Sequence, residues 1–279
     1  MIGLCAHTEK PGAAELVRAV VEEFKRRGAG LLLEKETARV AGLASELTEK
    51  ELAARCELLI VLGGDGSILR LLHRLNGDSP AIFGINLGSL GFLTCLSAAE
   101  TREAVDSILA KNYVLSPRTL LAVRHGGAEL LALNDVVISR GERSRLVKTR
   151  VRIDGQTLTD YNADGLIIST PTGSTAYSLS SGGPILMPES GAFVVTPICP
   201  HVLTNRSVVV SDDSRIEVEL LVEGQEVFAT VDGQAVFEMH LGDRLILAKS
   251  SRRLNLAMLP GRSFSDVLRQ KLKWSGTSV

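Results

Sequence analysis

The chain has 279 residues, enough for two domains, and its 45% hydrophobic and 23% charged residues are typical of a globular protein. A formal net charge of −1 does not favour nucleic acid or an anionic membrane as a partner. No signal peptide and no apolar run of membrane-spanning length is present, and the four cysteines lack a Cys-x-x-Cys pair. We therefore expect a cytoplasmic protein with reduced thiols and no disulfide framework.

The first part of the chain alternates short apolar runs with amphipathic segments, which is the pattern of a mostly parallel α/β sheet. The apolar runs predict strands at residues 1–5, 31–33, 58–62 and 81–86. Residues 16–24 place their apolar side chains on one helical face. Two pairs with capping-box spacing, Thr48 with Glu51 and Ser97 with Glu100, predict the starts of two further helices.

The centre of this part is a buried strand that runs into Gly-Gly-Asp-Gly-Ser at residues 63–67 and then into an amphipathic helix. Such a turn presents backbone N–H groups to a phosphate at a helix N-terminus. It is neither a Walker A loop nor a full dinucleotide fingerprint. It resembles a loop shared by NAD kinases, diacylglycerol and sphingosine kinases, and phosphofructokinases. Arg70, one turn into the helix, is a predicted phosphate contact.

Asp65 is the unexpected residue in this loop. A carboxylate repels phosphates unless it holds a metal or accepts a proton from a hydroxyl, so its presence indicates a function. The alternative is a tight turn in which Asp65 caps the helix. Because it lies among glycines, we expect it to have few packing partners and to contribute little to folding.

Beyond Pro117 the helical periodicity ends and short β-rich runs follow. They lie at residues 120–123, 130–139, 147–153, 166–169, 207–210, 216–221, 227–231 and 245–248. Hairpin turns are predicted at Gly126-Gly127, Asp154-Gly155 and Asp232-Gly233. The predicted fold class is thus a Rossmann-like α/β domain at residues 1–116 followed by an all-β domain at 117–253. A final amphipathic helix, near residues 264–274, lies in a returning tail (254–279) expected to pack on the first domain.

Residues 164–184 form a second dense stretch, in which hydroxyl and glycine residues surround Tyr177 after the apolar run 166–168. Hydroxyls at such density suit a polar, planar ligand, and Tyr177 offers a stacking face. A long surface loop is the alternative, but such loops usually carry Lys or Glu.

Three stretches of the chain resemble the signature motifs of the bacterial NAD kinase family: residues 63–67, residues 133–138 and residues 164–184. The order continues with Thr-Pro-Ile-Cys-Pro-His at 196–201, Asp-Gly-Gln at 232–234 and Leu-Arg-Gln-Lys-Leu-Lys-Trp at 268–274. The departures are small: Ser181 stands where alanine is common, and Asp135 where many members carry glutamate.

The resemblance implies an α/β domain joined to a C-terminal β-sandwich. It implies transfer of the terminal phosphoryl of ATP, or of polyphosphate, to the 2′-hydroxyl of the adenosine ribose of NAD, which yields NADP. Magnesium would be held mainly through the nucleotide phosphates. A homodimer or homotetramer is implied as well.

The resemblance also implies roles for individual residues. Asp65 would be the acid/base residue on the ribose hydroxyl, and Gly66 would approach the substrate with its backbone. Asn134 and Asp135 would bind ribose hydroxyls, and Asp164 would accept from an amide or amine of the dinucleotide. The residues expected around a base ring are Thr172, Thr175, Ala176, Tyr177, Ser178, Leu179 and Ser180. Positions that line the site less uniformly in the family are Arg145, Asn162 and Gln234.

Simpler structural roles remain open for several of these positions. Asn134-Asp135 could be an Asx turn that breaks a strand, although a ribose diol needs the paired acceptors that they supply. Asp232 is a hairpin residue first and a ligand second. His201 is expected to be structural.

Three other classes of protein compete with this interpretation. A lipid kinase would share the glycine loop but needs an apolar entrance, which the hydroxyl-rich loop does not favour. The all-β second half disfavours a phosphofructokinase. A dinucleotide-binding regulator without turnover is the non-enzymatic alternative, and the presence of Asp65 argues against it.

Overall fold

The computed structural model describes residues 1–88, 91–141, 146–202, 204–223 and 226–274. The chain forms two compact units: the first contains Met1–Pro117 and the residues from Leu254 onward, and the second is Arg118–Arg253. Among the described helices, none combines the length and the apolar character that crossing a membrane requires.

The elements alternate up to residue 113 and are mostly strands beyond it. The first group is β1 (Ile2–Ala6), α1 (Ala13–Arg26), β2 (Leu32–Leu33), α2 (Lys35–Val40), α3 (Glu49–Arg55), β3 (Leu58–Gly63), α4 (Asp65–Arg74), β4 (Ala81–Asn86), β5 (Leu96–Ser97) and α5 (Thr101–Leu109). The second group is β6 (Val114–His125), β7 (Ala128–Ala132), β8 (Asp135–Arg140), β9 (Val147–Ile153), β10 (Gln156–Ala163), β11 (Gly165–Ser169), α6 (Tyr177–Ser180), β12 (Ala192–Ile198), β13 (Val208–Ser211), β14 (Ile216–Leu220), β15 (Val227–Val231), β16 (Ala235–Met239), β17 (Arg244–Met258) and α7 (Phe264–Leu272). Short 3₁₀ helices lie at Ala98–Glu100 and Gly173–Thr175.

The first unit is a parallel sheet in the order β2-β1-β3-β4. The last residues of β17 join it, with Leu256 opposite Ile82. All six residues of β3 are buried, and the apolar faces of α1 and α5 help to cover the sheet. In parallel strands the carboxyl ends meet at one edge, so the residues after β1, β3 and β4 lie on the same side of the sheet.

The second unit is an antiparallel β-sandwich. One layer has the order β10-β9-β14-β17, with β6 on β17 and β7 on β6, and the other has the order β13-β12-β11-β8-β15-β16. Tyr161, Phe193 and Met239 are fully or almost fully buried in one core together with the alternating apolar residues of both layers. The pairing of an α/β first part with an all-β second part confirms the predicted fold class.

Local signals in the sequence located many of the turns and helix starts. The capping boxes at Thr48 and Ser97 are both formed. The three hairpin turns have the left-handed backbone that Asx-Gly and Gly-Gly pairs favour, with φ of 51° at Asp154 and 49° at Asp232. These expectations are confirmed.

Other elements differ from the sequence expectations. The single β-run at residues 130–139 is wrong, because the chain breaks at Leu133-Asn134 and β7 and β8 lie in different layers. Helix α2 was not predicted. Its N-terminus is capped by the side chain of Glu34, which accepts the N–H groups of residues 36 and 37. Strand β12 contains Pro197, a residue that argues against a central strand in sequence. Strands β10 and β16 were also missed.

Candidate functional site

The glycine loop joins β3 to α4 at the carboxyl edge of the parallel sheet. Gly64 is the N-cap of α4 and Gly66 is exposed on the first turn. A Cβ added to Gly63 would lie 2.1 Å from the hydroxyl oxygen of Ser67, which accepts the N–H of Gly64 at 3.3 Å. Glycine is therefore required at residue 63 for the turn to close over Ser67, and the first N–H groups of α4 remain available to an anion.

Asp65 is held from outside its own helix. Its Oδ2 accepts the N–H of Phe92 at 2.8 Å and its Oδ1 accepts the N–H of Leu93 at 3.0 Å. A Cβ on Gly91 would lie 1.9 Å from Oδ1 of Asp65, so this approach requires glycine there. The helix-cap alternative is wrong, because Gly64 is the N-cap and the Asp65 carboxylate accepts N–H groups of another loop. The expectation that Asp65 has few partners is also wrong, since two backbone N–H groups donate to it, whereas its contribution to folding stays a prediction.

The loop that carries these two donors is itself fixed. The N–H of Gly91 donates to Oγ1 of Thr94 at 2.9 Å, and the same oxygen accepts the side-chain amide of Asn86 at 3.3 Å. Thr94 and Asn86 are buried. Ser89 and Leu90, which precede Gly91, lie outside the described residues.

Cationic groups gather beside the glycine loop. Arg70 is half-buried on the second turn of α4, and the Nζ of Lys10 would be 3.3 Å from a Cβ on Gly64. The pKa of His7 is lowered by burial and then by the charges of Arg70 and Lys10. Lys10 and His7 follow β1 at the carboxyl edge of the sheet. The sequence pattern did not single out these two residues, although their place directly after a parallel strand is a signal that could have found them.

A cavity of about 180 Å³ opens next to these cations. Its wall includes side chains from the end of β1, from α4 and from the acidic segments before α2 and at the start of α3. They include His7, Glu34, Glu49, Ser67, Arg70 and Arg74. Arg74 pairs with Glu49 at 2.8 Å. Both signs of charge therefore line one polar recess of the first unit.

In the second unit, Asp232 organises the corner between β7 and β8. Its carboxylate accepts three consecutive backbone N–H groups, those of Leu133 at 2.8 Å, Asn134 at 2.8 Å and Asp135 at 3.0 Å. Asp232 lies in the β15–β16 hairpin turn, as predicted. Its carboxylate also fixes the break that separates β7 from β8, and sequence spacing carried no signal of that contact.

Asp135 is buried beside this carboxylate. Burial and then the negative charge of Asp232 raise the pKa of Asp135 to about 7, while a hydrogen bond from the backbone N–H of Tyr177 opposes the rise. Asp135 is therefore a carboxyl that can change its protonation state near neutral pH, next to the amide of Asn134.

The hydroxyl-rich loop packs directly on Asn134. A Cβ on Gly173 would overlap the carbonyl oxygen of Asn134 at 1.9 Å, and that oxygen accepts the N–H of Thr170 at 2.9 Å. The side chain of Tyr177 is 47% exposed, so its ring is free to meet a ligand. The hydroxyl of Ser178 is buried and bonded to that of Thr196 at 3.0 Å. Ser178 therefore stabilises the loop, and its hydroxyl does not face the surface.

The remaining predicted residues of the loop differ in exposure. Thr172 is buried, Ser180 is exposed, and Thr175, Ala176 and Leu179 are half-buried. Within this unit, the structure thus brings Asn134, Asp135 and Tyr177 together around one corner.

The other predicted positions lie on separate elements. Asp164, between β10 and β11, accepts the Nε of Arg140 at 3.1 Å. Asn162 is exposed on β10, and its carbonyl accepts the N–H of His201 at 3.0 Å. Gln234 is exposed in the same hairpin turn as Asp232. Arg145 lies outside the described residues.

Two domain models of one family match the chain. The ATP-NAD kinase N-terminal domain matches residues 2–113 and the ATP-NAD kinase C-terminal domain matches residues 133–259. The NAD kinase of Geotalea daltonii is 39% identical over 278 residues, 98% of each chain. The NAD kinase of Syntrophotalea carbinolica is 40% identical over 279 residues, again 98% of each chain.

Solved structures share the fold. A yeast NADH kinase complexed with NADH superposes with a TM-score of 0.87 at 25% identity, covering 100% of this chain and 88% of that one. An NAD kinase from Archaeoglobus fulgidus in complex with ATP has a TM-score of 0.78 at 24% identity, covering 99% of this chain and 100% of that one.

The fold, the glycine loop and its fixed carboxylate define a phosphotransferase with an alcohol group as acceptor. Both domain models match, and curated relatives match over nearly the full length. The chain belongs to the NAD kinase family.

Proposed function

We propose that this chain transfers the terminal phosphoryl group of ATP, or of polyphosphate, to the 2′-hydroxyl of the adenosine ribose of NAD. The observation that carries the proposal is Asp65, a carboxylate fixed by the N–H groups of Phe92 and Leu93 at the start of the glycine-loop helix. In a member of this family, a carboxylate that is fixed beside a phosphate-binding turn is suited to aligning a hydroxyl for phosphoryl transfer.

Asp65 acts on the acceptor hydroxyl. Each of its carboxylate oxygens accepts one backbone N–H and keeps a second lone pair. One of these lone pairs accepts the 2′-hydroxyl proton as the hydroxyl oxygen bonds to the terminal phosphorus, while the bond from that phosphorus to the bridging oxygen breaks and ADP, or the shortened polyphosphate, leaves. Because the carboxylate is held at both oxygens, little reorganisation is needed at the moment of transfer.

The dinucleotide is bound by the corner around Asn134. Asn134 and Asp135 receive ribose hydroxyls, and the exposed ring of Tyr177 stacks on a base. Asp164 accepts from an amide or amine of NAD. Thr175, Ala176, Leu179 and Ser180 form the wall of the base site, and the buried Thr172 and Ser178 support that wall from behind. Asn162, Gln234 and Arg145 complete the lining.

The donor is bound by the glycine loop. The backbone of residues 64–66 and the side chains of Arg70 and Lys10 meet the phosphates, since these are the N–H groups and cations at the carboxyl edge of the sheet. The polar cavity that includes Arg70 and Arg74 is the adjoining recess for the rest of the donor.

The residues of this site fit a magnesium ion that is bound mainly through the phosphates of the nucleotide. No group of three or more His, Cys, Asp or Glu side chains suited to a metal occurs among the described residues. Mg²⁺ commonly keeps several waters and binds through substrate phosphates with one or two carboxylates. When bound, it neutralises charge on the transferring phosphoryl group.

We also propose a homodimer or homotetramer in the cytoplasm. Val209 and Val236 are at least half exposed on β13 and β16, the two edge strands of one sandwich layer, and such edges favour pairing. The free thiols of Cys5, Cys56, Cys95 and Cys199 fit a reducing compartment. Light scattering on the purified chain tests the assembly.

The activity is tested by incubating the purified chain with NAD and a donor and measuring NADP with an NADP-specific dehydrogenase. Separate reactions contain ATP, polyphosphate or no donor, and a parallel set replaces NAD with NADH. We expect the wild type to form NADP from NAD with at least one donor. The Asp65→Asn variant is the control and should form much less NADP. NAD binding by calorimetry without NADP formation would instead favour a regulator without turnover.

A further inference from the structure

The returning C-terminal segment lies against the loop that holds Asp65. Arg262, just before α7, donates from Nη1 to the carbonyl oxygen of Cys95 at 2.7 Å and from Nη2 to Oε1 of Glu100 at 2.5 Å. Cys95 is two residues beyond Leu93, one of the two donors to Asp65. The guanidinium therefore fixes one end of this loop to the start of α5.

Phe264, the first residue of α7, contacts the same loop at the other donor. Its ring and that of Phe92 have centroids 6.0 Å apart with planes inclined at 46°. Such tilted aromatic pairs contribute beyond their buried area. The N–H of Phe92 is the one that donates to Oδ2 of Asp65, so the ring contact restrains the residue that positions the carboxylate.

The ion pair of Arg262 is embedded in a larger set of bonds. Oε2 of Glu100 accepts both the hydroxyl of Ser97 at 2.7 Å and its N–H at 2.9 Å. The Ser97 hydroxyl, the Ser97 N–H and Arg262 together lower the pKa of Glu100 to about 2, against the effect of burial. Glu100 is thus a charged partner for Arg262 at every pH at which the enzyme is assayed.

We propose that Arg262 and Phe264 are positioning residues for Asp65. They act through the backbone of residues 92–95, so the C-terminal segment helps to hold the Asp65 carboxylate in position. The inference rests on the proposed function, in which Asp65 accepts the ribose hydroxyl proton. The hydrogen bonds of Arg262 and the ring contact of Phe264 go to residues 92–100 and not to Asp65, so a change at either residue reaches the carboxylate through its two N–H donors.

The first test compares steady-state kinetics. In Arg262→Ala and Phe264→Ala, kcat should fall on the order of tens- to a hundredfold, since misplacement by about 1 Å has that effect. KM for NAD should stay within about twofold. Arg262→Lys keeps the charge and one bond, and it should restore part of kcat. Arg269→Ala is the matched control, because Arg269 is on α7 and pairs with Asp266 of the same helix.

The second test separates positioning from general destabilisation. In an Asp65→Asn background, Arg262→Ala should cause no further loss of the residual rate, because effects on one acting unit are not additive. Amide hydrogen exchange, read by NMR, should be faster at Phe92 and Leu93 in Arg262→Ala than in the wild type. This readout does not depend on activity.

Three outcomes would overturn the inference. They are an unchanged kcat in a folded Arg262→Ala enzyme, an equal loss with and without Asp65, and unchanged exchange at residues 92 and 93. If Arg262→Ala and Phe264→Ala do not fold, Phe264→Leu keeps an apolar side chain at this half-buried position and carries the same test. If the wild type forms no NADP, the proposed function is refuted instead. The exchange experiment would still test whether Arg262 restrains the N–H groups of residues 92 and 93.

Discussion

Asp135→Asn should remove a pH-dependent loss of stability from this enzyme. Asp135 is 6% exposed and lies beside the Asp232 carboxylate, which three backbone N–H groups hold in place. Burial and that neighbouring charge raise the pKa of Asp135 from 3.8 to about 7. Asparagine has the same shape, can still accept the Tyr177 N–H through its oxygen, and cannot ionise.

The sign and the size follow from proton linkage. Between about pH 4 and pH 7 the native protein keeps the Asp135 proton while the unfolded chain loses it, so the unfolding free energy falls as pH rises. A pKa raised to about 7 corresponds to a loss of about 4 kcal/mol once the pH exceeds that value. The difference in unfolding free energy, variant minus wild type, should therefore grow by up to about 4 kcal/mol from pH 4 to pH 8.

Urea denaturation without NAD, at steps from pH 4 to pH 8, measures this difference. Asp160→Asn is the matched control, because hydrogen bonds from Arg150 lower the pKa of Asp160, so this carboxylate is ionised in both the native and the unfolded chain across the series. For that variant the difference in unfolding free energy should stay nearly constant from pH 4 to pH 8. A difference for Asp135→Asn that is constant across the pH series would refute the reasoning.

Three further outcomes are expected. Asp65→Asn should lower kcat by about a hundred- to ten-thousandfold, as expected for loss of a general base. It should also lower stability by about 1–3 kcal/mol, because the amide can accept only one of the two N–H groups. A kcat loss below about tenfold would show that Asp65 is not the base. Tyr177→Ala should weaken NAD binding by about 1–3 kcal/mol in calorimetry if the ring stacks on a base. Unchanged affinity would remove Tyr177 from the site. Truncation after Pro260 removes α7 with its buried Val267 and Leu268, so it should lower the melting temperature or the solubility. Melting like the full chain would contradict that docking.

The sequence alone determined the features that depend on neighbouring residues. The apolar run and glycine turn at residues 58–67 located β3 and the start of α4, because buried strands and tight turns have local signatures. Asp-Gly pairs located two hairpins, since only certain residues adopt left-handed backbone readily. The order of the motifs was sufficient to indicate the family and hence the fold class.

Only the tertiary structure decided how the key carboxylates are held. Asp65 is bonded to N–H groups 27 and 28 residues away, and Asp232 to N–H groups 97 to 99 residues away. The single predicted run at 130–139 failed for the same reason. Apolar alternation continues through Leu133-Asn134, and the break is imposed by a side chain from a distant hairpin. Periodicity describes the neighbours of a residue along the chain, whereas these bonds depend on which strands the fold places side by side.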